Sequence, residues 1–227
     1  IKDLKIKTSV NGDATYNKAN ALRPSKSGET YNAPYLIPRT TENSYSNYSW
    51  LWENTATYSK TINDHSFDVL IGFSAQEFHN ESTYIEGKNY PDDKITTLNA
   101  AETITANSNI EEWALLSYIG RLNYNYKGRY LLSAAIRRDG SSRFGALNRW
   151  GNFPSVSVGW VVSDEEFMKP IQDKLSFLKV RASYGLVGND QIGNYAHLAN
   201  IGTINYSLNN VLAAGRGATS MGNPMLG

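Results

Sequence analysis

The 227-residue sequence contains no cysteine, which excludes a disulfide framework and a thiolate metal site and leaves the compartment open. No long apolar run is present, so the chain encodes no transmembrane helix. Positive and negative side chains nearly balance, at +1 overall, which removes the electrostatic case for a nucleic-acid partner. Histidine is scarce. His65, His79 and His197 stand apart from one another and from any metal-ligand spacing, so they read as turn or loop residues, with no metal or cofactor expected. No nucleophile elbow or Ser/His/Asp order occurs. "GNDQIG" and "GRGATSMG" lack the Lys-Ser/Thr ending of a phosphate loop and read as flexible loop. The adjacent acids Asp92-Asp93, Glu111-Glu112 and Glu165-Glu166 cannot flank one bond as a glycosidase pair does, because neighbours on a strand face opposite ways. They read as solvated loop charge, and no catalytic residue is assigned. The Asn-x-Ser triplets at Asn47, Asn80 and Asn205 follow from an Asn- and Ser-rich composition.

What is present is alternation. In "SFLKVRASYGLVGN", Leu178, Val180, Ala182, Tyr184 and Leu186 share one parity, and Lys179, Arg181, Ser183 and Gly185 the other. Period two means a strand with one apolar face. The pattern recurs at 4–10, at 48–58, at 67–75, at 114–126, at 130–138 and at 156–162, giving seven strands. At the 126–130 turn the register can be counted. A two-residue loop would continue the apolar face onto Arg129, Leu131 and Ser133. A three-residue loop, Lys127-Gly128-Arg129, continues it onto Tyr130, Leu132, Ala134 and Ile136, and is the one expected.

Both a protein core and a lipid bilayer would satisfy such apolar faces. The connections separate the two. Residues 59–66 and 127–129 are short, and 163–176 is intermediate, with Ser163 and Glu166 spaced as a capping box. Residues 11–47, 77–112, 139–153 and 188–227 read as long polar loops. Short and long connections alternate, as in transmembrane barrels. The 15 Tyr and 5 Trp suit two interfacial girdles, with Tyr58, Tyr124, Tyr126, Tyr130 and Trp160 near the short turns and Trp50 and Trp52 near a long-loop end. On pattern the bilayer reading prevails over a soluble all-β carbohydrate-binding module, whose aromatics would form a sugar platform. An outer-membrane barrel enzyme or adhesin would need a polar catalytic cluster at the rim, which is not found. The abrupt ends, "IKDLKIKTSV" and "MGNPMLG", read as those of a piece of a longer polypeptide.

The densest candidate segment is "RRDGSSRFGALNRWGNFP". It places Arg137, Arg138, Arg143 and Arg149 beside Phe144, Trp150 and Phe153. Arg143, Phe144, Arg149 and Trp150 are the candidate substrate contacts, as an aromatic–guanidinium surface. The alternative is a rim loop whose arginines are paired internally.

The stretches "WLWENTATYSKTINDHSFDVLIGFSAQ", "GRLNYNYKGRYLLSAAIRRDGSSRFG", "RWGNFPSVSVGW", "EEFMK", "LSFLKVRASYGLVGN" and "GNPML" resemble the barrel region of SusC/RagA-type TonB-dependent outer-membrane transporters. The likeness runs from about Tyr48 to the end, with Val187 and Asp190 where Thr and Gln are more usual. The resemblance implies an all-β, antiparallel transmembrane barrel segment of about seven or eight strands, within a plugged barrel of about 22 strands. Residues 1–227 would be part of the barrel domain, with plug and N-terminal domains outside this chain. It implies residence in the outer membrane against lipid and import of oligosaccharides or peptides. It also implies energisation by TonB through the plug and a SusD-like surface lipoprotein over the mouth. Lys179, Arg181, Arg121 and Glu53 would face the lumen or plug.

Overall fold

A computed structural model describes residues 3–25, 37–208 and 211–227. It contains β1 (Leu4–Arg23), β2 (Arg39–Ile62), β3 (His65–Lys88), β4 (Thr103–Tyr126), β5 (Tyr130–Ser141), β6 (Trp150–Val161) and β7 (Lys179–Gly185), followed by the hairpin β8 (Ile201–Leu208) and β9 (Val211–Ala218). The first seven form one antiparallel meander in chain order, with β1 and β7 at its edges. Short 3-10 turns at Leu98–Ala100, Val162–Asp164 and Glu166–Ile171 are the helical elements of the described residues.

The chain divides into two compact units. The first holds residues 1–11, 51–76 and 113–227. Its strands therefore run over 4–11, 51–62, 65–76, 113–126, 130–141, 150–161 and 179–185. Twelve residues extend about 40 Å, which a tilt of about 35–45° reduces to roughly the 30 Å of a hydrocarbon layer. The second unit, residues 12–50 and 77–112, coincides closely with two stretches expected as loops. The structure corrects that expectation: β1 continues to Arg23, β2 starts at Arg39, β3 continues to Lys88 and β4 starts at Thr103. Part of the 11–47 stretch, residues 26–36, lies outside the described residues. These ribbons are polar on both faces, so no burial period marked them. Cross-strand pairs hold them instead, among them Lys18–Glu42 at 2.7 Å and the His79 ring stacked on Tyr48 at 4.7 Å.

Other corrections are local. The 59–66 connection is a two-residue turn at Asn63-Asp64, with Asn63 at φ 52°, a conformation Asn tolerates. The capping box at Ser163 does not form: Ser163 is buried, its N–H donates to the Leu178 carbonyl and its hydroxyl to Asp164. The "GRGATSMG" loop begins inside β9. His65 and His79 lie in β3 rather than in loops.

The 127–129 turn is as counted. Tyr126 pairs with Tyr130, Tyr124 with Leu132, Leu122 with Ala134 and Gly120 with Ile136. The face continues onto Trp160, Val158 and Val156 of β6, then Val180, Ala182 and Tyr184 of β7. Lys127 and Gly128 both take positive φ, 56° and 70°.

The apolar parity is bare. Val158 is 51% exposed, Ile136 53%, Ile71 63% and Ile6 73%, while the buried apolar residues reduce to Tyr90, Val161, Val162 and Met168 among the described residues. A soluble sandwich would cover this face with a second sheet. The face is instead bracketed by two aromatic rows. Trp52, Phe73, Tyr118 and Trp150 form one, with successive centroids 5.8, 5.5 and 6.1 Å apart. His65, Phe67, Tyr124, Tyr126, Tyr130 and Trp160 lie in the other, where Phe67 meets Tyr124 at 5.1 Å and Tyr126 meets Tyr130 at 6.1 Å. From Trp150 to Trp160 along β6 is about 34 Å of strand, or about 24–28 Å of height, the span of a lipid-facing band.

Two outcomes follow for the full-length barrel in lipid. Val156 lies midway between the belts, so Val156→Lys should cost about 2–4 kcal/mol. Val180 pairs with Trp160 in the belt, so Val180→Lys should cost about 0–1 kcal/mol, and Ser157→Lys on the opposite face should cost no more. Reversible unfolding in vesicles measures all three, and equal costs would refute the facing. A Cβ on Gly128 would meet nothing within 4 Å, so Gly128→Ala should cost about 1 kcal/mol through backbone strain alone, and Gly128→Asn less.

Candidate functional site in the luminal wall

The polar parity lines two hollows. One, of about 1120 Å³, is walled by Asp68, Asn123, Ser133, Ser157, Lys179 and Arg181. The other, of about 1210 Å³, takes in Phe144, Arg149, Phe153, Arg137 and Asp139. Both include Ser133, Ser157 and Ser183, which are cross-strand neighbours on β5, β6 and β7. The row continues through Asn123, whose amide donates to Asp68 (3.2 Å) and whose carbonyl accepts from Ser133 (2.7 Å). The sequence alone puts Ser183 on a polar parity, and only register brings the three serines level.

The arginine-rich segment splits between different surfaces. Arg137 faces inward, its Nε donating to both oxygens of Asp139 (2.7 and 2.8 Å) and its Nη2 to Ser117 (3.1 Å). Arg138 faces outward, 5.1 Å above the Trp150 ring. Trp150 is thus on the apolar parity: its ring covers Gly140, where a Cβ would lie 2.9 Å from ring carbons, and it belongs to the aromatic belt. Arg143 is engaged internally, donating to Asn194 Oδ1 (3.0 Å) and the Asp190 carbonyl (3.1 Å) while lying 4.7 Å over Trp113. It pins the 186–200 loop. Gly145 N–H bonds the Leu226 carbonyl and leaves no room for a Cβ against Pro224. Phe144 and Arg149 remain in the second hollow with Phe153. The Phe153 ring packs against Gly151 and Gly188, where added Cβ atoms would come within 2.5 and 2.4 Å of it.

At the β6–β7 turn, Glu165 accepts from Tyr130 (2.6 Å), the Trp160 indole (3.0 Å) and Arg129 (3.3 Å). Those hydrogen bonds, Tyr130's first, hold its carboxyl below the ordinary glutamate range. Glu165 therefore anchors two belt aromatics, a role that its reading as solvated loop charge did not anticipate. His65 touches Tyr124 (2.8 Å), His79 touches Glu112 (2.6 Å) and His197 the Arg143 carbonyl (3.2 Å). No group of three metal-ligating side chains gathers among the described residues.

An antiparallel wall with a bare apolar face between aromatic belts and a polar, concave opposite face is that of an outer-membrane β-barrel. The TonB dependent receptor-like β-barrel family matches residues 2–226, and the chain belongs to that family of outer-membrane transporters and receptors. It is 36% identical over 200 residues to a TonB-dependent receptor of Formosa agariphila, covering 86% of this chain and 19% of that protein. It is 38% identical over 145 residues to the TonB-dependent receptor SusC of Bacteroides thetaiotaomicron, covering 62% and 14%. Among solved structures it is similar to the RagAB peptide importer, in both its closed-closed and open-open states. Each gives a TM-score of 0.87 at 29% identity over the whole of this chain and 25% of that one. The chain spans about a fifth of the length of the curated relatives it matches.

Because the Glu165 carboxyl is depressed in the folded state, its contribution is complete above the ordinary glutamate pKa and is lost as pH falls through the lower folded value. Acid titration of barrel stability should show this loss, and Glu165→Gln should flatten the profile there. An unchanged profile would refute the anchoring role.

Proposed function

We propose that this chain is part of the wall of a SusC/RagA-type importer of oligosaccharides or peptides across the outer membrane. Import is energised by TonB through a plug domain encoded outside these 227 residues, and a SusD-like lipoprotein delivers cargo at the extracellular mouth. One observation carries the reading: the strands' apolar parity is uncovered and belted by aromatics, while the opposite parity forms a hydroxyl- and charge-bearing path. Such a wall supplies a route and binding contacts, with Phe144, Arg149 and Phe153 as the groups best placed to meet cargo. Similarity to TonB-dependent receptors, SusC among them, and to the solved RagAB peptide importer supports the reading.

The test is uptake of labelled oligosaccharide and peptide pools by cells carrying or lacking the gene. Uptake should require the gene, and a protonophore should abolish it. Gene-dependent uptake indifferent to the protonophore would refute energised import, and recovery of the full-length protein in the soluble fraction would refute the membrane assignment.

A further inference from the structure

Charge is distributed unevenly between the two faces of the wall. The luminal parity carries Lys5, Lys7, Arg121, Arg149, Lys179 and Arg181, and among the described residues none of these has a carboxylate partner within 4.0 Å. The luminal acids are fewer: Asp3 pairs with Lys60, and Asp190 lines the hollow of Arg149. Glu53 takes the Ser9 hydroxyl, Asp68 takes Ser59 and Asn123, and Asp139 takes Arg137. A chain of net charge +1 therefore presents a cationic surface on the side that faces cargo. A surplus of unpaired cations in a water-filled, low-dielectric-walled passage concentrates anions.

The rest of that surface fits sugars. Ser157 and Ser183 have hydroxyls with no protein partner among the described residues, level with Ser133. The Phe153 ring, packed against Gly151 and Gly188, lines the same hollow as Arg149. An aromatic ring, two free hydroxyls beside Ser133 and spaced guanidinium or ammonium groups match an anionic pyranose chain. The ring stacks, the hydroxyls exchange hydrogen bonds and the acid groups meet cations.

We infer that the cargo is an acidic oligosaccharide bearing uronate carboxylates or sulfate esters, bound along the track from Arg149 and Phe153 past the serine row to Lys179 and Arg181. This rests on the importer reading and narrows its substrate class.

The experiment uses the full-length transporter, purified in detergent, with calorimetric binding of hexagalacturonate, its fully methyl-esterified neutral form, sulfated and unsulfated maltohexaose, and hexaglutamate. At least one acidic sugar should bind about tenfold or more tighter than its neutral counterpart, and 0.5 M salt should erase the difference. The galacturonate and maltose arms separate carboxylate from sulfate. Arg149→Gln and Arg181→Gln should each weaken the acidic sugar about tenfold and the neutral one much less. Equal binding of acidic and neutral forms, no binding of either acidic sugar, or tighter binding of hexaglutamate than of both would overturn the inference. Energised uptake of neutral sugars or peptides alone would leave import standing and sink only the acidic class. Absence of any gene-dependent uptake would sink both.

Discussion

The structure depends on contact between hydrocarbon and one parity of each wall strand. With Tyr90, Val161, Val162 and Met168 as the buried apolar residues described, no protein core accounts for cohesion. Lipid tails must supply the apolar environment. The same lipid cannot hydrogen-bond to the backbone, so every peptide group at that depth has to be satisfied between neighbouring strands. The meander does this with the shortest links on one side, two residues at Asn63-Asp64 and three at 127–129. It also confines proline: Pro154 sits in β6 opposite Ile136, and its carbonyl accepts from Leu186.

How much of this was legible follows from the same constraint. Between the belts a strand must be apolar on one face, so Leu122, Tyr124 and Tyr126 set a parity, and the turn length could be deduced by requiring Tyr130, Leu132 and Ala134 to share it. Outside that depth the constraint vanishes. Residues 12–23, 77–88 and 103–112 are strands with water available to both faces, so their sequence carries no period and reads as loop. Their order comes from ladders and pairs such as Lys18–Glu42 and His79–Glu112, which composition alone does not register.

The candidate site was legible only in part, for a different reason. Arg137, Arg138, Arg143 and Arg149 look like one basic surface along the chain. Alternation sends the first two to opposite faces, and the 142–149 loop turns Arg143 against Trp113 and Asn194. The serine row is invisible in the sequence because Ser133, Ser157 and Ser183 are 24 and 26 residues apart, and register alone aligns them. The capping-box pattern failed because both the backbone N–H and the hydroxyl of Ser163 were taken by other partners.

The two faces also treat charge in opposite ways. On the outer face ionised groups are confined to the belts, where water and headgroups reach them: Arg138 over Trp150, Lys127 over Tyr126, and Glu165 beneath Tyr130 and Trp160. Between the belts that parity reads Leu132, Ala134, Ile136 on β5 and Val156, Val158 on β6, with no charge. The inner face carries charge at every level. Adjacent residues thus answer to different solvents, as Arg121 does between Gly120 and Leu122. Hydrocarbon asks only for apolar character, not for a particular side chain, so the outer parity can drift among Val, Leu, Ile and Ala while the wall keeps its path. This explains a TM-score of 0.87 at 29% identity. It also frees the inner parity to change its charge and hydroxyls without disturbing the fit to the membrane.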